Sequence, residues 1–296
     1  MDNNILITGG TGMVGKHLQN ILPNAYYLGS EIDLRNINEV DLLFKYNKFN
    51  RVVHLAAKVG GIKDNINNPG DYFDDNILMN TNIVKVSKKY KVKRFLGILS
   101  TCIYPDKVNN YPMKEEILHL GPPTPSNFSY GYAKRCLAVQ IDAYNKQFGR
   151  EYNYIIPTNL YSEYDNFDND NKMHFVTALL KKIKNSKNNI IELFGDGSPL
   201  RQFIYAEDLA KIIKLIIDND ITESFNVSNT ENLSIDEMAN IALQEVGKEY
   251  KIHYIYPHLN GQLRKDVCNE KLMNIFPNFK FTSFKEGIKK VYDKIS

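Results

Sequence analysis

Tyr130 and Lys134 stand four positions apart in the segment YGYAK, so on a helix a phenol and an ammonium share one face. A phenol is a poor acid near neutral pH, and a lysine one turn away can stabilise its phenolate and fit the pair for proton transfer at a carbonyl. Alone, such a pair is usually ordinary helix surface. Ser100, thirty residues upstream in GILSTCIYP, changes that reading, because a hydroxyl at the end of a strand can share the same carbonyl oxygen. A second cluster lies near the N-terminus, where ILITGGTGMVGKHL sets Gly9, Gly12 and Gly15 between a strand-like run and a helix-like one. That context suits a tight turn presenting amide donors to a pyrophosphate at a helix N-terminus.

Such residues need elements to hold them. Short apolar runs at 4–8, 25–28, 51–56 and 94–99 alternate with amphipathic stretches at 13–21 and 75–90, the pattern of parallel strands joined by crossover helices. A further helix is expected over 130–148 and a strand over 154–156, followed by a polar loop, YSEYDNFDNDNK. Beyond residue 171 helices (174–184, 206–218, 234–246) mix with isolated strands (190–194, 224–227). The expected fold is therefore α/β: a Rossmann-type doubly wound parallel sheet in a dinucleotide-binding domain over 1–170, interwoven with a smaller C-terminal α/β lobe over 171–296. At the end of the second strand an acid bonds ribose hydroxyls and an arginine accepts a 2′-phosphate. Leu28-Gly29-Ser30-Glu31 leaves that choice open. Asp33 and Leu34 suit the adenine edge, or Asp33 is an ordinary loop carboxylate.

Composition narrows the partners. With 37 basic and 34 acidic residues the net charge is +3, and no long basic run suggests a nucleic-acid surface. No apolar stretch is long enough to span a membrane, and the N-terminus runs straight into a strand without a basic leader. A cytoplasmic protein is expected. Cys102, Cys136 and Cys268 are odd in number and widely spaced, which fits reduced thiols better than a disulfide framework or a metal site.

Taken together, the glycine turn, the strand-terminal serine and YxxxK resemble the extended short-chain dehydrogenase/reductases, and more closely their GDP-L-fucose synthase branch. The carriers span nearly the whole chain: GGTGMVG, AAKVGGI (56–62), STCIYP (100–105), YGYAK, PTNLY (157–161), DNF (165–167) and FGDGSPLRQFIYAEDLA from Phe194. The resemblance implies an NADPH-dependent 3,5-epimerase and 4-reductase acting on a GDP-4-keto-6-deoxy-hexose, in a homodimer, with NADH as the other possible cofactor. It makes Ser100, Tyr130 and Lys134 the reductase set. Cys102 and His174 become the pair that moves protons at sugar carbons 3 and 5, which a ketone at carbon 4 acidifies. By the same resemblance the cofactor frame comprises Gly9, Gly10, Thr11, Gly12, Met13, Val14 and Gly15, then Ala56, Ala57, Ile98, Leu99, Ser100 and Thr101. Pro157, Thr158, Asn159 and Leu160 complete it, beside Tyr130, Lys134 and His174. Lys182, Phe194, Arg201, Asn260 and Lys265 match nucleotide-sugar positions, although the branch usually carries Arg, Trp and Asp where Lys182, Phe194 and Asn260 stand. A reductase acting without epimerisation on a related GDP-4-keto sugar such as a heptose is the rival enzyme reading. A cofactor-sensing module on the same fold is the non-enzyme one, and the intact Tyr/Lys pair speaks against it.

Overall fold

The computed structural model describes residues 4–167, 173–256 and 261–295. Strands β1 (Ile5–Thr8), β2 (Tyr26–Leu28), β3 (Arg51–His54), β4 (Arg94–Ile98) and β5 (Asn153–Pro157) alternate with helices α1 (Met13–Ile21), α2 (Ile37–Tyr46), α3 (Ile62–Asn67), α4 (Pro69–Lys89) and α5 (Phe128–Phe148). The chain continues through β6 (Asn159–Tyr161), α6 (Phe175–Asn185), β7 (Ile190–Phe194), β8 (Leu200–Arg201), β9 (Phe203–Tyr205), α7 (Ala206–Asp218) and β10 (Phe225–Val227). It ends with β11 (Leu233–Ser234), α8 (Ile235–Glu245), β12 (Lys251–Ile255), α9 (Glu270–Ile275) and α10 (Phe284–Ile295).

Six strands pair in the order β10-β5-β4-β3-β1-β2, and every pairing among them is parallel. Strand order reverses between β1 and β3, so the crevice of this doubly wound sheet opens at the carboxyl end of β1, where the glycine turn lies. Helices α1 and α7 cover one face, over Ile5, Ile7, Val53 and Ile155. Helices α2, α4 and α5 cover the other, over Leu6, Val52, Phe95 and Ile156. Both faces are buried, so the strands read as near-continuous apolar runs. A third core, built by α6, α8 and α10 around Leu180, Leu193, Met238 and Ile288, belongs to the C-terminal part, with the short pairs β7–β12, β8–β11 and β6–β9. The chain then returns to the main sheet through α7 and β10, whose Phe225–Val227 register against Ile155–Pro157.

Helix α1 matches its expected span, while α4 and α2 depart from expectation for local reasons. Helix α4 starts at Pro69 instead of residue 75, because proline is pre-organised for the first helical position and lacks only a donor the helix does not use. Helix α2, not anticipated, buries Val40, Leu43 and Phe44 on one face and is capped by Asn36, whose side chain accepts from the Asn38 amide.

Candidate active site

The turn after β1 is shaped by two glycines. Gly9 adopts a left-handed φ of +71°, and a Cβ there would lie 2.8 Å from the Ala56 amide nitrogen. At Gly15 a Cβ would lie 2.4 Å from the Gly10 carbonyl oxygen, so α1 can approach the turn this closely only without a side chain. The Gly10 amide is tied to the Leu28 carbonyl at 2.8 Å. Gly12 caps α1, and the first turn of that helix, which includes Met13 and Val14, carries no acid. A backbone cradle at an undecorated helix N-terminus, with Thr11 exposed beside it, fits a dinucleotide pyrophosphate. Thr158, which follows β5, offers a second mark of fit: its buried hydroxyl oxygen finds no partner among the described residues.

At the end of β2 the Glu31 carboxylate folds back to accept from the Gly29 amide at 3.0 Å. A Cβ on Gly29 would lie 2.7 Å from Glu31 Oε2 and 2.9 Å from the Thr11 methyl, so the Glu31 carboxylate lies close to the glycine turn. Asp33 is differently engaged. Arg35 donates to it from Nε and Nη2, each at 2.9 Å, and this pairing, outweighing burial, holds the carboxyl below its usual range. Leu34 is packed into the core, which leaves only its backbone for a ligand.

Strand β4 delivers Ser100 and Cys102 together. Ser100 caps a short 3₁₀ turn over Thr101–Ile103, accepting from the Cys102 amide at 3.3 Å, while the Leu99 amide is held by the Ile155 carbonyl at 2.9 Å. The first turns of α5 face this strand end, because Gly131 has no Cβ: one there would come within 2.6 Å of the Cys102 carbonyl. Burial raises the Tyr130 phenol, the nearby Cys102 adds to the rise, and a Ser100 hydrogen bond only partly opposes it. Tyr130 is therefore a protonated donor at neutral pH. Lys134 is itself buried and donates to the Ile98 carbonyl at 2.9 Å, and burial lowers it to about 8.

Behind Lys134 runs a buried polar chain that the spacing of motifs did not disclose. Asn80 Nδ2 donates to the Ala133 carbonyl at 3.2 Å, so Asn80 Oδ1 receives the His54 Nε2 proton at 3.0 Å. His54 Nδ1 then accepts the Thr8 hydroxyl at 2.7 Å, and Thr8 accepts from the Ala56 amide at 3.3 Å. Burial and the Lys134 charge push His54 down to about 3, so it stays neutral and each of these groups is satisfied. The chain ties the exits of β1 and β3, at Thr8 and Ala56, to α5 at Ala133, the residue before Lys134.

The Cys102 thiol has two further neighbours. Asn127 Nδ2 lies 2.9 Å from Sγ and Lys265 Nζ lies 3.4 Å from it. Burial pushes the thiol up, but the Lys265 charge and the bonds from Ser100, Lys265 and Asn127 outweigh it and leave the thiol below its ordinary value. His174 caps α6 from a separate segment. Its Nδ1 contacts Asp165 Oδ2 at 3.2 Å, and Asp165 also accepts from Thr177. The Asp165 hydrogen bond raises the imidazole against the opposing effect of burial. Asp165 and Asn127 are the functional candidates that motif reading did not assign; Asp165 lies within the DNF motif, which could have pointed to it.

Of the nucleotide-sugar positions, Lys182 and Phe194 come together. Lys182 Nζ donates to the Glu192 carbonyl at 2.6 Å and sits 5.5 Å from the Phe194 ring centroid, and the Phe194 ring stacks against Tyr256 at 6.0 Å and 19°. Arg201 donates to the Leu200 carbonyl at 2.7 Å and is largely withdrawn from solvent on β8. Asn159 reaches the Gln202 carbonyl at 3.1 Å; Pro157 ends β5 and Leu160 lies within β6. Asn260 lies outside the described residues.

A parallel, doubly wound sheet with a glycine turn at its switch point and a serine, tyrosine and lysine beyond its strand ends is the architecture of the extended short-chain dehydrogenase/reductases. Residues 5–228 match the NAD dependent epimerase/dehydratase family, and the chain belongs to it. It is 32% identical to a probable GDP-L-fucose synthase of Drosophila melanogaster over 96% of this chain and 94% of that one. It is 33% identical to a GDP-L-fucose synthase of Dictyostelium discoideum over 96% and 92%. A GDP-L-fucose synthetase of Naegleria fowleri, solved bound to NADP, superposes with a TM-score of 0.89 at 32% identity, covering 99% of this chain and 92% of that one.

Proposed function

We propose that this chain is an NADPH-dependent 3,5-epimerase and 4-reductase that converts GDP-4-keto-6-deoxymannose to GDP-L-fucose. The observation that carries the reading is the shared strand end: a serine suited to the ketone oxygen and a thiol suited to proton transfer stand two residues apart, with the Cys102 backbone amide donating to the Ser100 hydroxyl. The NADP-bound relative and the curated synthases support the cofactor and substrate.

NADPH, when bound, supplies the hydride for carbon 4. Gly9–Gly15 would hold its pyrophosphate, Lys134 its ribose and Thr158 its polar end. Tyr130 donates a proton to the carbon 4 oxygen while Ser100 holds that oxygen in place, and burial keeps the phenol protonated for the task. Before reduction, one group removes a proton beside the ketone and another returns one from the opposite face. A thiol held below its ordinary value and an imidazole held above its own are matched to those two duties.

Residues 1–170 serve the dinucleotide in this reading, and 171–296 the sugar nucleotide, with α7 and β10 lent back to the sheet. Exposed apolar side chains on α4 and α5, among them Phe73, Leu78, Tyr132 and Val139, supply a face for a homodimer. Three free thiols suit a cytoplasmic location. The test is turnover of GDP-4-keto-6-deoxymannose in deuterated water. Deuterium at carbons 3 and 5 of a GDP-L-fucose product is expected; reduction with deuterium at neither carbon makes the enzyme a reductase only.

A further inference from the structure

Cys102 does not meet its surroundings as an ordinary half-buried thiol. Asn127 Nδ2 approaches the sulfur at 2.9 Å and Lys265 Nζ at 3.4 Å, from two separate segments. Asn127 stands in the turn that leads into α5. Lys265 comes from the C-terminal segment, 163 positions away in sequence. An amide and an ammonium are both donors here, and a neutral thiol has little use for two. A thiolate accepts both, and the contact with Lys265 is charge-assisted. The amide oxygen of Asn127 adds a second sign. It is buried and without a partner among the described residues, so the side chain gives up its acceptor to keep its donor on the sulfur.

We propose that Asn127 and Lys265 form a thiolate holder, which keeps Cys102 deprotonated before substrate arrives and makes them positioning residues of the epimerase half-reaction. The inference rests on the epimerase reading for its purpose, not for its test. No proton has to leave Cys102 before it can take one from the sugar, and the ammonium stays beside the sulfur while the thiolate takes up its proton. Lys265 thereby joins the C-terminal lobe to the end of β4 through one contact. The same lysine is placed among the nucleotide-sugar positions by resemblance, so a pure phosphate-binding role is the alternative to overturn.

The test is the pH dependence of Cys102 alkylation by iodoacetamide on the full chain without substrate. Mass spectrometry of the peptide carrying Cys102 keeps Cys136 and Cys268 out of the measurement. The wild-type midpoint is expected below that of an unperturbed thiol. Lys265→Met should raise it by about one pH unit or more, equivalent to about tenfold slower alkylation near neutrality. Lys265→Arg should largely restore the wild-type midpoint, and Asn127→Ala should give a smaller rise. With substrate, Lys265→Met should lower kcat for deuterium exchange and not only raise KM. An ordinary wild-type midpoint overturns the proposal at once, whether or not any variant folds. A midpoint unmoved in both Lys265→Met and Asn127→Ala also overturns it, as does a lysine variant that raises KM alone. The thiol titration uses no sugar, so it stands apart from the deuterium experiment that tests the function itself.

Discussion

The Ser100–Tyr130–Lys134 side of the candidate site and the Cys102 and His174 side chains differ in what holds them. On the first, a strand end and a single helix supply all three groups. Lys134 is fixed to the Ile98 carbonyl, and the helix beneath it is tied by Asn80, His54 and Thr8 to the strands that shape the glycine turn. Groups on one rigid frame are precise and are coupled to the cofactor. On the second side the groups come from a turn before α5, a loop at Asp165, the cap of α6 and a segment near the C-terminus. Cys102 shares the end of β4 with Ser100, but its thiol and the His174 imidazole are tuned by neighbours from separate segments. In the proposed function, hydride transfer would depend on geometry inherited from the sheet, and epimerisation on local charge pairs that can be altered singly.

The largest effect expected is from Tyr130→Phe, which removes the proton donor and leaves the ring. Reduction, followed as NADPH oxidation, should fall on the order of 10²–10⁴-fold. Deuterium exchange at carbons 3 and 5 should continue, because Cys102 and His174 keep their partners. If exchange collapses in parallel, the two sides are one unit and the contrast between them fails.

Asp165→Asn breaks the other side. The Asp165 carboxylate raises the His174 pKa and burial opposes it, so without the carboxylate burial prevails and the imidazole loses its proton at lower pH. An imidazolium that returns a proton is active below its pKa and fails as pH rises through it. The alkaline limb of epimerisation should accordingly move to lower pH, with a loss of about tenfold or more near neutrality. Reduction of a pre-epimerised substrate should keep its pH profile. A limb that stays in place assigns the proton return to another group.

That division also governs what can be read without a structure. Tyr130, Lys134 and Ser100 lie close along the chain or in recurrent strand and helix positions, so periodicity and spacing place them. The strand positions follow from apolar runs buried on both faces, as at Ile5–Thr8. Cys102 and His174 stood out only by resemblance, and Asn127, Asp165 and Lys265 acquire their neighbours only in three dimensions. Buried polar groups hide from pattern reading as well. Helix α4 buries Asn76, Asn80 and Asn82, which breaks its apolar stripe, and Asn76 brackets the Lys58 amide and carbonyl at 3.0 and 3.1 Å. Such residues read as surface until their hydrogen bonds are seen.

A smaller effect is expected where the nucleotide base would rest. Phe194 is 61% exposed and keeps one ring neighbour, Tyr256, and one cation, Lys182. Exposed, it is a platform waiting for a planar partner. Phe194→Ala should raise KM for the GDP-sugar about tenfold, the scale of one lost base stack, with kcat nearly unchanged. A fall in kcat without a change in KM would place Phe194 in the chemistry and blur the separation between binding and reaction.

The smallest effect concerns the cofactor end of the rigid side. Glu31 accepts from the Gly29 amide at 3.0 Å, and Gly29 packs against Thr11 of the glycine turn. An acid at this point of a doubly wound fold bonds the ribose hydroxyls of NADH, while a 2′-phosphate on NADPH would meet its charge. Arg35 could relieve that repulsion only by leaving Asp33 and Asp75, which it contacts at 2.9 and 2.8 Å. Preference for NADPH should therefore be modest in the wild type. Glu31→Gln keeps an acceptor for the Gly29 amide and deletes the charge, so the ratio of kcat/KM for NADPH over NADH should rise about threefold to tenfold. The site is open to solvent, so the gain should shrink as ionic strength rises past roughly 0.15 M, where charges more than about 8 Å apart are screened. A ratio that falls instead would mean that Glu31 positions the cofactor through its bond to Gly29 and not through its charge.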